Sequence, residues 1–298
     1  MPSTRDYYYH VDDRGVLTLD GVVQDDPGFV DFFYRRLAAT AHPAYPDYPF
    51  VSRCGDELNY LRPADTPIVY TSFDGERLFY ASTLSVPFYA DRLTYSEAGV
   101  LYYDAPVGGW GRVVPSVAIQ LAASIQPWGP FFAYRQPDSG RFVPILPREF
   151  EHLKLILPRT TNLCVGCGAA NEHGLGLSFV HDTRSDEVFT YVTPDVRMQG
   201  SLHSTHGGFV SLLLDETMGK CLSVHAIKAP TAQLNVRFRL PMLLGVEHEI
   251  RARLVRQTGR KNDVRGTVRS TADGSLIAEA EALFITIRSA PAPSTGRL

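Results

Sequence analysis

The stretch QGSLHSTHGGFVSLLLDETMG, residues 199–219, decides how the second half of this 298-residue chain is read. Continued from Gly208 to Leu222 as GFVSLLLDETMGKCL, it has the apolar spacing of a helix that begins at the glycine pair Gly207-Gly208. On such a helix Asp215 shares a face with Ser211, Leu212, Met218, Gly219 and Leu222, all apolar or small, so a carboxylate there is out of place. Glu216 falls on another face, four residues before Lys220, the favourable acid-before-base order for a solvated pair. Asp215 is therefore the expected functional acid; the bland alternative, an acid at the edge of a half-exposed helix, fits the helix pattern equally well. The helix start supplies a complement. Unpaired amides at a helix N-terminus act like roughly half a positive charge, and glycine lets a ligand oxygen come close. With Gln199, Gly200, His206, Gly207 and Gly208 around that terminus, the Gly207 amide could hold a carbonyl oxygen, a donor typically worth about 3 to 4 kcal/mol to a developing oxyanion. A glycine pair alone is more often a turn.

Working outward, residues 175–180 and 187–193 read as strands joined by a polar turn, and residues 233–240, 247–256, 264–270 and 276–288 as four more, separated by Pro, Gly and Asp-Gly turns. Two strands, one helix and four strands is the order of a hotdog fold, an antiparallel sheet wrapped around one central helix. The first half alternates differently. Residues 7–10 with 16–19, and 68–71 with 78–81, read as hairpins around Asp-Asp-Arg-Gly and Asp74-Gly75. A helix is expected over 29–39 from Phe29, Phe32, Phe33 and Leu37, and another over 117–125 after Ser116, where the length also permits a strand. The class is α+β: a separate mixed α+β domain over 1–147, a connector over 148–160, a hotdog domain over 161–289 and a disordered tail over 290–298. Pro144, Pro147 and Pro158 bracket the connector, which is expected to hold a short helix containing Phe150, Leu153 and Leu157.

A chain of this length expects two domains, since single cores rarely grow past roughly 250 residues. With 44% apolar residues, 20% charged residues and a formal charge of −3, neither nucleic acid nor an anionic membrane is called for. The N-terminus MPSTRDYYYH has no secretory pattern and no apolar run reaches membrane-span length, so a cytoplasmic protein is the expectation. Cys54, Cys164, Cys167 and Cys221 are too few and too uneven for a disulfide scaffold and are expected reduced. Cys164-x-x-Cys167 has the spacing of half a zinc site, but without a second pair a packed turn is the better reading, and His203 with His206 lacks an acidic third ligand. No metal and no cofactor are expected. Arg237, Arg239, Arg260 and Lys261 could meet coenzyme A phosphates, though each singly reads as a solvated charge.

Residues 199–219, together with NLCVGCGAANEHGLGLSF (162–179) and Thr231-Ala-Gln-Leu-Asn-Val-Arg-Phe238 with Pro241, resemble the PaaI-type hotdog acyl-CoA thioesterases over about 125 residues. The resemblance implies hydrolysis of an acyl-CoA thioester by a homodimer or a dimer of dimers. It implies Asp215 as general base or nucleophile, the Gly207 amide as polariser of the carbonyl, Thr231 as assistant, His206 as shaper of the helix entrance, and Gln199 as a water or substrate contact with Gly200 and Gly208 beside it. The aspartate would face the glycine loop of the partner subunit. A non-catalytic hotdog that binds acyl-CoA as sensor or scaffold is the alternative; a hydratase fits less well, because the helix offers aspartate after His-Gly-Gly. Residues 6–145, with YYYHVDDRGVLTLDG and PFVSRCGDELNYLRPADTPIVYTSF, resemble domain of unknown function 4505, which implies no activity, and Cys54, Asp56, Asn59 and Arg62 receive no role.

Overall fold

The computed structural model describes residues 5–42 and 44–287; the tail expected over 290–298 lies outside the described residues. The chain forms two compact units, residues 1–126 with 145–149, and residues 127–144 with 150–298.

In the first unit a six-stranded sheet runs in the order Val22–Val23, Leu17–Leu19, Arg5–Val11, Glu57–Pro63, Phe50–Cys54, Leu37–Ala39. Both expected hairpins form, Tyr9 opposite Leu19 and Tyr70 opposite Tyr80. The two halves of this sheet are joined by a parallel pairing of Arg5–Val11 with Glu57–Pro63, a long-range contact that no local pattern encodes. The helix Pro27–Arg35 starts where Asp26 accepts the Phe29 amide at 2.7 Å and Pro27 takes the first turn. It stops short of the expected residue 39 because Leu37–Ala39 pairs with Phe50–Cys54. The second expected helix spans Pro115–Ala122, and Ile125–Trp128 is a strand. Cys54 and Asp56 flank a turn at Gly55 (φ +63°), Asn59 is buried, and Arg62 donates to His10.

The second unit is a hotdog. Its seven strands lie in the order Leu153–Ile156, Phe179–Asp182, Glu187–Val192, His248–Thr258, Lys261–Ser270, Leu276–Ile285, Thr231–Phe238, with every neighbouring pair antiparallel. The central helix, Gly207–Val224, buries Val210, Leu213, Leu214, Thr217, Met218, Cys221 and Leu222, and its apolar members join one core with Phe179, Val188, Ile250, Val264, Val268, Ala280 and Phe284. Gly266 lets the helix approach the sheet: a Cβ there would sit 3.1 Å from Leu214 and 3.2 Å from Met218.

Two expectations are corrected. Residues 150–157 hold no helix, because Leu153–Ile156 pairs with Phe179–Asp182 as the outermost strand; a run this short carries too few periods to tell the two apart. The first hotdog strand begins at Phe179 rather than 175, because the amides of Leu175 and Leu177 are taken by Val165 and Gly166 carbonyls and Gly176 is left-handed (φ +62°).

His248 is buried in this sheet. Burial pushes its pKa below the ordinary 6.5. The unfolded chain therefore takes up a proton below about 6.5 that the folded one refuses. Stability is intact above that pH and falls as pH drops toward the folded value. The urea midpoint should fall between pH 7.5 and 5.5, and His248→Gln should flatten that fall.

Candidate active site

The N-terminus of the central helix is built by a tight loop. Gln199 and Thr205 form a bridge, the His206 amide donates to the Met198 carbonyl at 2.8 Å, and the Gly200 amide donates to Ser204 at 2.9 Å. Gly200 cannot be larger, since a Cβ would lie 2.8 Å from the His206 Cα. His206 caps the helix in an extended conformation: its Nδ1 accepts the Gly208 amide at 2.9 Å and its carbonyl accepts the amides of Phe209 and Val210. The Gly208 amide is thus engaged within the chain. The Gly207 amide has no recorded acceptor among the described residues, and the half-exposed Phe238 ring stands beside it, 3.4 Å from where a Cβ would be. Sequence reasoning gave Phe238 no role, although it closes the Thr231–Phe238 segment that carries part of the resemblance.

Asp215 lies two turns on. It is half-buried, as are Ser211, Leu212 and Gly219 of its face, whereas Met218 and Leu222 turn into the core. The face is therefore less apolar than the spacing implied. Thr231 Oγ1 donates to Asp215 Oδ1 at 2.7 Å. Thr231 opens the edge strand, and a bulge between it and Gln233 offsets its side chain from the regular alternation. Gly207 and Asp215 are eight residues apart on one helix, about 12 Å along its axis. No single carbonyl can touch both in the same chain.

A second cluster lies on another face of the helix. The loop around Cys164 and Cys167 is tied by Asn162, which accepts the Cys164 amide at 3.0 Å, and by Gly168, where a Cβ would run into the Cys164 and Asn162 carbonyls. The Cys164 thiol donates to Glu216 Oε1 at 2.8 Å, and Lys220 Nζ donates to the Cys167 sulfur at 3.0 Å. The solvated Glu216–Lys220 pair expected from sequence is replaced by these two contacts. Burial pushes the Cys167 thiol up to about 11, with Lys220 opposing and Glu216 adding to the rise. Of the four cations weighed for phosphate, Arg239 reaches Glu279 at 3.2 Å and Arg260 reaches the Thr286 carbonyl at 2.9 Å.

Comparison with known proteins locates both halves. Residues 202–277 match the thioesterase superfamily, and residues 1–138 match a domain of unknown function, DUF4505. Acyl-coenzyme A thioesterase THEM4 of Mus musculus is 29% identical over 118 residues, 39% of this chain and 51% of that protein. Its Bos taurus counterpart is 31% identical over 118 residues, 39% of this chain and 48% of that protein. The chain spans about half the length of these curated relatives. A crystal structure of a thioesterase superfamily protein is similar at 27% identity and a TM-score of 0.40, covering 42% of this chain and 60% of that one. Among the described residues no helix is long and apolar enough to cross a membrane.

Proposed function

We propose that the second unit hydrolyses acyl-CoA thioesters to a free acid and CoA as a PaaI-type hotdog module, in a homodimer or dimer of dimers, with the first unit as an accessory element. The observation that carries this reading is the Asp215–Thr231 hydrogen bond of 2.7 Å, on a helix whose first amide, that of Gly207, has no recorded acceptor among the described residues. The separation of those two groups within one chain supports a site shared between copies, the acid from one and the amide from the other.

In the proposed reaction the Gly207 amide donates to the thioester carbonyl oxygen. Asp215 takes a proton from a water molecule as its oxygen bonds to the carbonyl carbon. The charge that develops on the carbonyl oxygen is held at the helix N-terminus. Collapse of the tetrahedral adduct breaks the carbon–sulfur bond, and the proton on Asp215 passes to the departing CoA thiolate. Direct attack by the carboxylate, followed by hydrolysis of the resulting anhydride, uses the same two groups. Thr231 orients the carboxylate, His206 fixes the first turn by occupying the Gly208 amide, and Gln199 stands at the loop mouth as a contact for water or substrate.

The test is release of free thiol from acyl-CoAs of short, long and aryl acyl groups by the purified full chain. Turnover of at least one class is the expected result. Silence across all of them, with binding retained, would replace hydrolysis by the sensor or scaffold reading.

A further inference from the structure

We propose that Cys164, Cys167 and Glu216 form a binding site for a thiophilic divalent cation of the zinc class, separate from the hydrolytic residues. Sequence spacing offered two sulfurs; the fold adds a carboxylate. The ligand atoms of the three side chains all lie within 4.8 Å of one another. Tetrahedral coordination with metal–sulfur bonds of about 2.3 Å and metal–oxygen bonds of about 2.1 Å needs ligand spacings of roughly 3.5 to 4 Å. The cluster is thus within an ångström or so of coordinating geometry. Cys164 Sγ is already 2.8 Å from Glu216 Oε1, joined through a thiol proton that a cation would displace.

The surroundings are built for the charge such a site carries. The Gly166 amide donates to the Cys164 sulfur at 3.3 Å, Asn162 Nδ2 donates to the Cys167 sulfur at 3.5 Å, and Lys220 donates to that sulfur at 3.0 Å. N–H groups aimed at sulfur are the outer partners that hold thiolate ligands. Two thiolates, one carboxylate, the Lys220 ammonium and a divalent ion together come to zero net charge, so the partly buried cluster would be neutral when loaded. Gly166 is what admits the carboxylate, because a Cβ there would run into the Glu216 side chain. Cys167 is buried, whereas Cys164 and Glu216 are half-exposed, which leaves a solvent side for a fourth ligand such as water.

The experiment is titration of the reduced, chelator-stripped full chain with Co²⁺ alone, followed by competition with Zn²⁺. One equivalent of Co²⁺ per chain should produce sulfur-to-cobalt charge-transfer absorption that Zn²⁺ abolishes. Cys164→Ser and Cys167→Ser should each lose most of that absorption. Lys220→Met should weaken binding roughly tenfold, and Glu216→Gln should weaken it more. Zn²⁺ should also protect Cys164 from alkylation in the wild-type chain, with Cys54 as the unprotected internal reference. That reading does not depend on any variant folding. Wild-type protein without charge-transfer absorption or protection overturns the proposal, as does absorption that survives both cysteine substitutions. Thiol release from acyl-CoA plays no part in either readout, so this site and the hydrolytic one stand or fall separately.

Discussion

Asp215→Asn is expected to lower acyl-CoA hydrolysis by about a hundredfold or more, the usual range for loss of a positioned general base, while leaving thermal stability and oligomeric state unchanged. Asparagine keeps the size of the side chain, and its amide oxygen can still accept from Thr231 Oγ1, so the local hydrogen bond of 2.7 Å survives while proton acceptance is lost. Thr231→Val keeps the acid and removes its orienting donor. A smaller loss is expected there, of about tenfold, as for a hydrogen bond to a charged group. Gly207→Pro removes one amide hydrogen at a helix position where proline is tolerated, so the oxyanion donor is lost without breaking the helix. The proposed sharing of the site between two copies makes a sharper demand on this pair of variants. Asp215→Asn and Gly207→Pro chains, each impaired alone, should regain turnover when unfolded and refolded together, because half the sites of a mixed dimer draw both functional groups from undamaged halves. Mixtures that stay silent although mixed dimers are present would place both groups in one chain, which the helix rise forbids, or outside the reaction. Full activity in purified Asp215→Asn would remove the aspartate from the chemistry altogether.

Leu214→Ala is expected to cost about 2 to 5 kcal/mol of the second unit's stability, the range for truncating a fully buried leucine. Its side chain has no exposed surface and lies against the position that Gly266 leaves open. At about 2 to 4 °C per kcal/mol for a domain of this size, the unfolding midpoint should move by several degrees at least. Calorimetry of the full chain would locate the shift in one of its transitions. A loss below about 1 kcal/mol would mean that the neighbouring side chains refill the space, and that the core is looser than its burial implies.

Those two residues also show what the sequence made legible. Leu213, Leu214, Met218 and Cys221 recur at helical spacing, and the runs after residue 230 alternate with clear turn signals, so the central helix and the last four strands were readable from local chemistry. Asp215 stood out for the same reason, as a charge beside small and apolar neighbours. What the sequence hid was non-local. The parallel pairing of Arg5–Val11 with Glu57–Pro63 joins residues some fifty positions apart, and its energy is not written in either strand alone. The strand Leu153–Ile156 is too short for its period to be counted, and the prolines around it suggested a connector. Glu216 and Lys220 are spaced as a solvated pair, and only the arrival of the Cys164–Cys167 loop turns them toward sulfur. Thr231 entered through family resemblance; the bulge that aims it at Asp215 leaves no trace in the residue pattern.

The pairing of Leu153–Ile156 with Phe179–Asp182 sets where the second half can be cut free. A recombinant fragment starting at residue 161, the first position that the sequence marks as hotdog, would leave the ladder partners of Phe179, Val180, His181 and Asp182 behind. The stripped flank would present bare amides and carbonyls beside Phe179 and Val180, ready to zip onto a neighbouring molecule. A fragment that opens at residue 127 carries that flank's own cover and the Trp128 and Phe131 rings that pack on Phe189. The shortest fragment expected to fold with that flank covered is therefore longer than the stretch that residue patterns mark as hotdog.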